Sequence, residues 1–361
     1  MVVLGGYGGF GARLARRLAA DGWQVMVAGR NAAKAEALAA TLPGGLGLAA
    51  DRNGNLAPLL DQFKPALLVD AAGPFQGSGY AVPLACITAG VAYLDLADGR
   101  EFVCGIGALD AAARAAGVPV ISGASSVPAL SGAVVRELAA QFDTVTQIDL
   151  AISASDRASA GASVASSILS YAGRPIPLWD GTAWREEFGW RMLKRERFQA
   201  GSGPSLSRSV ALVDVPDHTL LIGRVEGYPA ITFRAGPEFD FQLLGIWLLS
   251  WPVQWGWLRS LVPLAPFLHR LQSLTAWLCS DRSAMAVELR GTRNGERMIA
   301  RWTLIAERGD GPEVPTLAAQ LLARRIAAGT LPAGARDAGE DLSLGDFKPL
   351  FGELWIVEAI A

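Results

Sequence analysis

The clearest chemical signal lies in three glycines near the start of the chain. Gly6, Gly8 and Gly11 stand at the spacing G-x-G-x-x-G within Gly5-Gly6-Tyr7-Gly8-Gly9-Phe10-Gly11. They follow the apolar triplet Val2-Val3-Leu4 and precede the helix-like run Ala12 to Ala20. A glycine at the first position permits a tight turn, and one at the second lets the backbone approach a pyrophosphate. The third lets helix and strand pack closely, while the helix N-terminus offers N–H groups and partial positive charge to phosphates. In this strand–turn–helix setting the spacing predicts a dinucleotide site built on Gly6, Tyr7, Gly8, Gly9, Phe10 and Gly11.

The end of the second expected strand, Gln24 to Ala28, is the next checkpoint. Folds that prefer NAD place an acidic residue there, about 20 positions after the glycines, to hold the ribose 2′-hydroxyl. This chain has Gly29-Arg30-Asn31 instead, with Lys34 one helical turn later. A guanidinium binds a 2′-phosphate through charge-assisted hydrogen bonds, whereas an acid would repel it. The cofactor expected is therefore NADP(H), with Arg30, Asn31 and Lys34 on its adenosine side; the rival is a solvated arginine capping a strand.

Those residues need a frame. Apolar runs at Leu46–Ala50, Ala66–Ala71, Val91–Leu96 and Val118–Ser122 alternate with helical stretches near Ala32–Thr41, Leu56–Phe63, Tyr80–Ala89 and Phe102–Ala116. Strands apolar on both faces, alternating with helices, predict a doubly wound parallel sheet of the Rossmann type. Ligands of such sheets bind beyond the carboxyl ends of the strands. Candidates therefore gather in Asp51-Arg52, Ala72-Gly73-Pro74-Phe75, Asp95 to Gly99 and Gly123-Ala124-Ser125-Ser126. Asp95, with Tyr93 two residues before it on the same face, reads either as a substrate, ribose or proton-transfer group or as the cap of a turn. Ser125 reads as a nicotinamide or substrate contact or, with Ser126, as a helix cap near Pro128. Asp51 reads as an adenine contact or a turn residue.

After about Phe142 the texture changes. Thr144–Ser153 alternates, and Val210–Val215, Thr219–Ile222, Ala230–Arg234, Ala284–Leu289 and Ile299–Ala306 read as further strands, with helices around Ala158–Tyr171 and 241–278. Gln199–Ser209 reads as a loop. The tail carries a helix pattern through Leu317, Leu321, Leu322 and Ile326, a turn at Gly329–Gly334 and a final strand at Leu354–Ile360. The expected fold is α/β throughout: a Rossmann domain over residues 1–126, a mixed α/β domain for substrate or dimerisation over 127–310, and a segment over 311–361 packing back on the first.

Composition narrows the chemistry. With 361 residues, 51% of them hydrophobic and 18% charged, the chain is long and apolar enough for two cores. A net charge of −2 excludes a nucleic-acid partner held by clustered positive charge. Cys86, Cys104 and Cys279 are dispersed and read as reduced thiols. With Met1 directly before the first strand, a cytoplasmic protein without a leader is expected. His218 and His269 are the only histidines, which argues against a histidine-built metal site. His218, in Val215-Pro216-Asp217-His218, is a catalytic candidate only if the second domain brings it to the nicotinamide.

Two further features await placement. Arg157, Arg174, Arg185 and Arg191 lie among Trp179, Trp184 and Trp190 and read as a carboxylate pocket or as solvated surface. Phe241 to Leu258 carries no charge and contains Trp247, Trp251, Trp255 and Trp257. It reads as a buried helix or homodimer contact, as an apolar substrate tunnel or peripheral membrane attachment, or as a span, the last opposed by Pro252 in its middle.

Taken together, the chain resembles the saccharopine dehydrogenase-like oxidoreductases. The resemblance rests on Gly6-Tyr7-Gly8-Gly9-Phe10-Gly11, Ala28-Gly29-Arg30-Asn31, Val69-Asp70-Ala71-Ala72-Gly73-Pro74-Phe75, Ala89-Gly90-Val91-Ala92-Tyr93-Leu94-Asp95-Leu96-Ala97 and Arg325-Ile326-Ala327-Ala328-Gly329, and covers roughly the first 130 residues closely. It implies an NADP(H)-binding Rossmann domain, an inserted mixed domain and a returning C-terminal segment. It also implies nucleotide over the glycine loop, with the loop Ala72, Gly73, Pro74, Phe75 close to the nicotinamide. The expected activity is hydride transfer to or from an imine, carbonyl or activated alkene of a small substrate. The rivals are a reductase of lipid-like enoyl or keto substrates and a non-catalytic NADP-binding sensor.

Overall fold

The computed structural model describes residues 1–155, 162–267, 270 and 279–361. Arg157, His269 and parts of the helices expected over Ala158–Tyr171 and 241–278 lie outside the described residues. The chain divides into two units, Met1–Leu130 with Glu313–Leu342, and Ser131–Pro312 with Ser343–Ala361. The first boundary thus falls after Leu130 rather than after residue 126, and the tail is shared between the units rather than returning whole to the first.

In the first unit strands and helices alternate: β1 (Val2–Leu4), α1 (Gly9–Ala20), β2 (Met26–Gly29), α2 (Ala32–Ala39), β3 (Leu46–Ala49), α3 (Ala57–Phe63), β4 (Leu67–Asp70), α4 (Ala81–Ala89), β5 (Ala92–Asp95), α5 (Arg100–Gly105), α6 (Asp110–Ala116) and β6 (Pro119–Ser122). The long helix expected over Phe102–Ala116 breaks into two at a tight turn, Ile106–Leu109. The second unit follows with α7 (Ser131–Ala139), β7 (Thr144–Ser153), α8 (Ala162–Ser170), β8 (Pro175–Trp179), β9 (Trp184–Phe188), β10 (Lys194–Phe198), β11 (Leu206–Leu212), α9 (Asp217–Leu220), β12 (Ala230–Gly236), α10 (Asp240–Gln254), β13 (Ser283–Arg293) and β14 (Glu296–Ala306). The tail then supplies α11 (Val314–Ala327) and β15 (Gly334–Asp337) to the first unit, and α12 (Leu344–Gly352) and β16 (Ile356–Ile360) to the second.

The first sheet has seven strands in the order β15-β6-β5-β4-β1-β2-β3, and every pairing in it is parallel. Strand order reverses between β1 and β4, the switch point at which doubly wound sheets open a crevice for ligands. Val2, Val3, Leu4, Leu67, Leu68 and Val69 are buried because helices cover both faces. The tail is fastened by polar contacts between α11 and α1: Arg17 bonds Glu313 at 2.6 Å, and Arg324 and Gln320 both bond Asp21. β15 then pairs with β6, a strand that the short sequence Gly-Ala-Arg-Asp does not announce.

The second unit holds a mixed seven-stranded sheet, β10-β11-β12-β7-β13-β14-β16, in which only β12 and β7 run parallel. The expected strand at Thr219–Ile222 is instead the helical turn α9. Pro216 fixes the backbone at its start, and its carbonyl accepts from the N–H groups of Thr219 and Leu220. The charged strand β10 escapes an apolar reading because ion pairs cover it: Glu196 bonds both Lys194 and Arg301. Val210–Val215 begins earlier than expected, at Leu206, within the stretch that reads as a loop.

The turn after β1 is the tightest point of the first unit. A side-chain carbon on Gly11 would lie 2.2 Å from the Gly5 carbonyl oxygen, and one on Gly6 would lie 2.7 Å from that of Val3. At Gly8 it would meet only the Gly5 carbonyl oxygen, at 3.1 Å, and Gly8 has an ordinary extended backbone. Gly11→Ala should therefore destabilise the protein by about 1–3 kcal/mol through overpacking, and Gly8→Ala by less, about 1 kcal/mol or under, because the Gly5 carbonyl has to give by only a few tenths of an ångström. Urea unfolding of both variants checks this; equal losses would mean the two glycines share one structural role.

Candidate functional site

The residues from β1 into α1 form an open cradle. Gly8 occupies the N-cap position of α1 without a side chain to cap it. Among the described residues, the N–H groups of Gly9, Phe10 and Gly11 find no acceptor. Uncapped N–H groups at a helix start, beside a glycine with no side chain to cover them, suit an anionic group approaching from outside. Tyr7 does not face that opening with its hydroxyl. Its oxygen accepts from the Asn31 N–H at 2.9 Å, and its ring fills the space where a side chain on Gly29 would stand. Tyr7 thus fastens the glycine turn to the end of β2. The Asn31 side chain caps α2 by accepting from the Lys34 N–H at 3.0 Å. Arg30 and Lys34 are exposed, and among the described residues the Arg30 guanidinium has no protein partner.

Below the cradle lies a buried ionic cluster. Asp70, at the end of β4, is fully buried and pairs with Arg52 at 2.6 Å, and its second oxygen accepts from the Ala72 N–H. Arg52 also reaches the Ser78 hydroxyl and lies 4.6 Å from the centre of the Phe75 ring. Phe75 packs against Phe102 and is itself buried, while Pro74 is exposed and joined to Gly73 by a cis peptide bond. The Ala72–Phe75 loop is therefore fixed from beneath by an arginine. A side-chain carbon on Gly5 would lie 2.8 Å from the backbone of Ala72, so this loop also abuts the glycine turn at the switch point. Arg52 stands among the strand-end candidates of the sequence, but Asp70 does not, and their pairing shows only in the structure. The available signal was an aspartate ending an otherwise apolar strand, which needs a cation when buried.

Asp95 is the neighbour of Asp70 in the sheet register and is equally buried. Its Oδ1 accepts from the Gly123 N–H at 2.7 Å, the Ala97 N–H at 3.0 Å and the Ser122 hydroxyl at 3.0 Å. It therefore ties the ends of β5 and β6 together. Its Oδ2 is buried with no hydrogen-bond partner among the described residues. Burial pushes its pKa up to about 6 against the three donors, with the charge of Asp70 adding to the rise. Burial likewise raises Asp70, opposed by Arg52. Tyr93 is fully buried in the apolar core with Leu68, Cys86 and Ile106, and burial, with the nearby carboxylates, raises its pKa well above the usual value.

The remaining expected residues are dispersed. The Ser125 and Ser126 hydroxyls make no hydrogen bond among the described residues, so neither caps the chain that follows. The Asp51 side chain accepts from the Asn53 N–H in a turn, beside a depression lined by Leu48, Asn55, Leu59 and Phe63. His218 belongs to the second unit, where its Nε2 accepts from the Phe233 N–H of β12 at 3.0 Å. That bond engages the lone pair a general base would use. The arginine and tryptophan cluster does not converge: Arg185 pairs with Asp180, Arg174 donates to the Arg259 carbonyl, and Arg191 bonds α10.

A parallel sheet with order reversal at β1, an uncapped glycine turn and a free arginine after β2 define a dinucleotide-binding Rossmann domain. Residues 1–121 match the family model of the saccharopine dehydrogenase NADP binding domain. Solved structures similar to the whole chain include saccharopine dehydrogenase (L-Glu forming) from Saccharomyces cerevisiae, with 13% identity, 100% of this chain and 99% of that one covered, and a TM-score of 0.65. Homospermidine synthase from Legionella pneumophila, solved with NAD, gives 11%, 100%, 91% and 0.63. Amine dehydrogenase from Mycobacterium smegmatis gives 12%, 94%, 94% and 0.53. At such identities the likeness is one of fold. No protein of curated function matches the chain in sequence.

The Asp95 environment has a measurable signature. Its folded-state pKa lies above the unfolded value, so the folded protein holds an extra proton between about pH 4 and 6. Stability should fall as pH rises through that window and level off above it. Asp95→Asn keeps the acceptor Oδ1 and removes the titration. Urea midpoints from pH 4 to 7 should therefore differ between wild type and variant by a pH-dependent part of roughly 3 kcal/mol, the equivalent of a shift of about two pKa units. Parallel profiles would show that Asp95 titrates normally.

Proposed function

We propose that the protein is an NADP(H)-dependent oxidoreductase that moves a hydride to or from an imine, carbonyl or activated alkene of a small substrate. The observation that carries the reading is the cradle over α1, where Gly8 has an ordinary extended backbone, a side-chain carbon on it would meet one protein atom, the Gly5 carbonyl oxygen at 3.1 Å, and the first N–H groups of the helix lack acceptors. A glycine kept open on the protein side fits close approach of a pyrophosphate.

The chain's own residues divide the work. The α1 N–H groups would bind the pyrophosphate, and the partner-free Arg30 with Lys34 would hold a 2′-phosphate. The Ala72–Phe75 loop, fixed by Arg52, would border the nicotinamide end, as in the family that the N-terminal unit resembles. Asp95 can hold a proton at Oδ2, since that atom has no donor to stabilise its charge. When bound, the cofactor supplies the hydride chemistry, and the protein orients it and excludes water.

Removing Arg30 separates the two dinucleotides. Arg30→Ala should weaken NADPH by about 1–3 kcal/mol, the value of a charge-assisted hydrogen bond, and leave NADH nearly unchanged. Gly8→Val should abolish the NADPH-induced rise in melting temperature while the protein remains folded. Titration by nucleotide fluorescence and thermal melts decide both; equal loss of NADPH and NADH would remove the case for NADP(H).

A further inference from the structure

We propose that the outer face of α10 and the chain after it, Phe241 to Phe267, seats on the surface of an anionic lipid bilayer. The helix is built inside out for a protein in water. Leu243, Ser250 and Val253 are buried on its inner side, and the polar contacts are there too. The Arg191 guanidinium donates to the Trp247 carbonyl at 3.2 Å, the Ser250 hydroxyl at 2.6 Å and the Gln254 side chain at 2.7 Å. A side-chain carbon on Gly173 would meet the Ser250 carbonyl oxygen at 2.1 Å, so the backbones there are in close contact. The helix is thus held to its own unit from within.

Its outer side carries Phe241, Leu244, Leu248 and Trp255, at spacings that share one face of a helix. All four are exposed, the patch continues through the Trp255 ring into Trp257, 74% exposed, and further along the chain Phe267 is 64% exposed. The indoles of Trp251, Trp255 and Trp257 pack in sequence as tilted pairs, with centroids 5.5 and 5.1 Å apart. A contiguous apolar patch of this kind is a contact surface, not a surface for water.

Charge selects the occupant. Between Asp240 and Asp281 the sequence contains no acidic residue, and its charged residues there are Arg259 and Arg270. Arg174 joins them at the end of the patch by donating to the Arg259 carbonyl. A second copy of the same patch would bring no carboxylate to meet these guanidiniums. An anionic lipid surface supplies both partners: headgroup charge for the arginines, and an apolar layer with a polar boundary for the tryptophans. Among the described residues no helix is long and apolar enough to cross a membrane, so the contact is parallel to the surface.

The test is co-sedimentation of the full chain with extruded vesicles of equimolar phosphatidylcholine and phosphatidylglycerol, against vesicles of phosphatidylcholine alone. Wild type should sediment with the anionic vesicles. Trp255→Ser with Trp257→Ser should lower the bound fraction at least about tenfold. Arg174→Glu with Arg259→Glu should remove the preference for the anionic vesicles. All four residues are exposed, so both variants should keep the wild-type melting temperature, which confirms that lost binding is not unfolding. Wild type that stays in the supernatant, or tryptophan variants that bind as well as wild type, would overturn the proposal. So would a wild-type dimer in light scattering that the tryptophan substitutions dissolve in the absence of vesicle binding, which would assign the face to a second copy.

Discussion

The first unit depends on how closely its backbone closes on itself after β1. Gly5, Gly6 and Gly11 each leave out a side chain that would strike a neighbouring main chain, at Ala72, Val3 and Gly5 respectively. That closeness brings α1 down onto the sheet and sets the glycine turn against the loop after β4. Once the turn is that tight, the first N–H groups of α1 point away from protein acceptors. The binding potential of the site is thus a by-product of packing, concentrated at the helix start around Gly8.

Beneath this turn the ends of β4 and β5 carry two adjacent buried carboxylates that the protein treats differently. Asp70 receives a full countercharge from Arg52, and the same guanidinium organises Phe75 and Ser78. Asp95 receives only neutral donors, all on one oxygen, and its other oxygen is left bare. Two like charges at neighbouring register positions in a dry sheet cannot both ionise freely. The pair therefore consists of one fixed anion, which positions a loop, and one carboxyl that holds its proton more tightly.

The second unit solves a different problem. Its sheet pairs charge with charge: Arg301 meets Glu288 across the β13–β14 ladder and reaches on to Glu196 of β10. It spends the polar contacts of Arg191 on the inner face of α10 and leaves apolar side chains outside. Placing charge inward and indoles outward costs solubility unless something apolar covers them, which links the packing of this helix to the surface it meets.

Much of the first unit was legible in the chain alone. Strand apolarity, helix alternation and the glycine spacing are local properties, and they led to the Rossmann sheet, the turn and the lack of an acid after β2. The sequence equally determined that Phe241 to Leu258 would carry no charge and four tryptophans. Tertiary structure alone decided the rest. Whether Arg52 meets Asp70, whether Tyr7 locks onto Asn31 rather than facing a ligand, and whether β15 joins β6 depend on residues far apart in the chain. The strand β10 looks like surface because Glu196 finds Arg301 only once the chain has folded, and the tail divides between two units because β15 and β16 pair with different sheets. The sequence carries the periodicity of each element, but pairing energy between distant charges and strands exists only after the chain has closed.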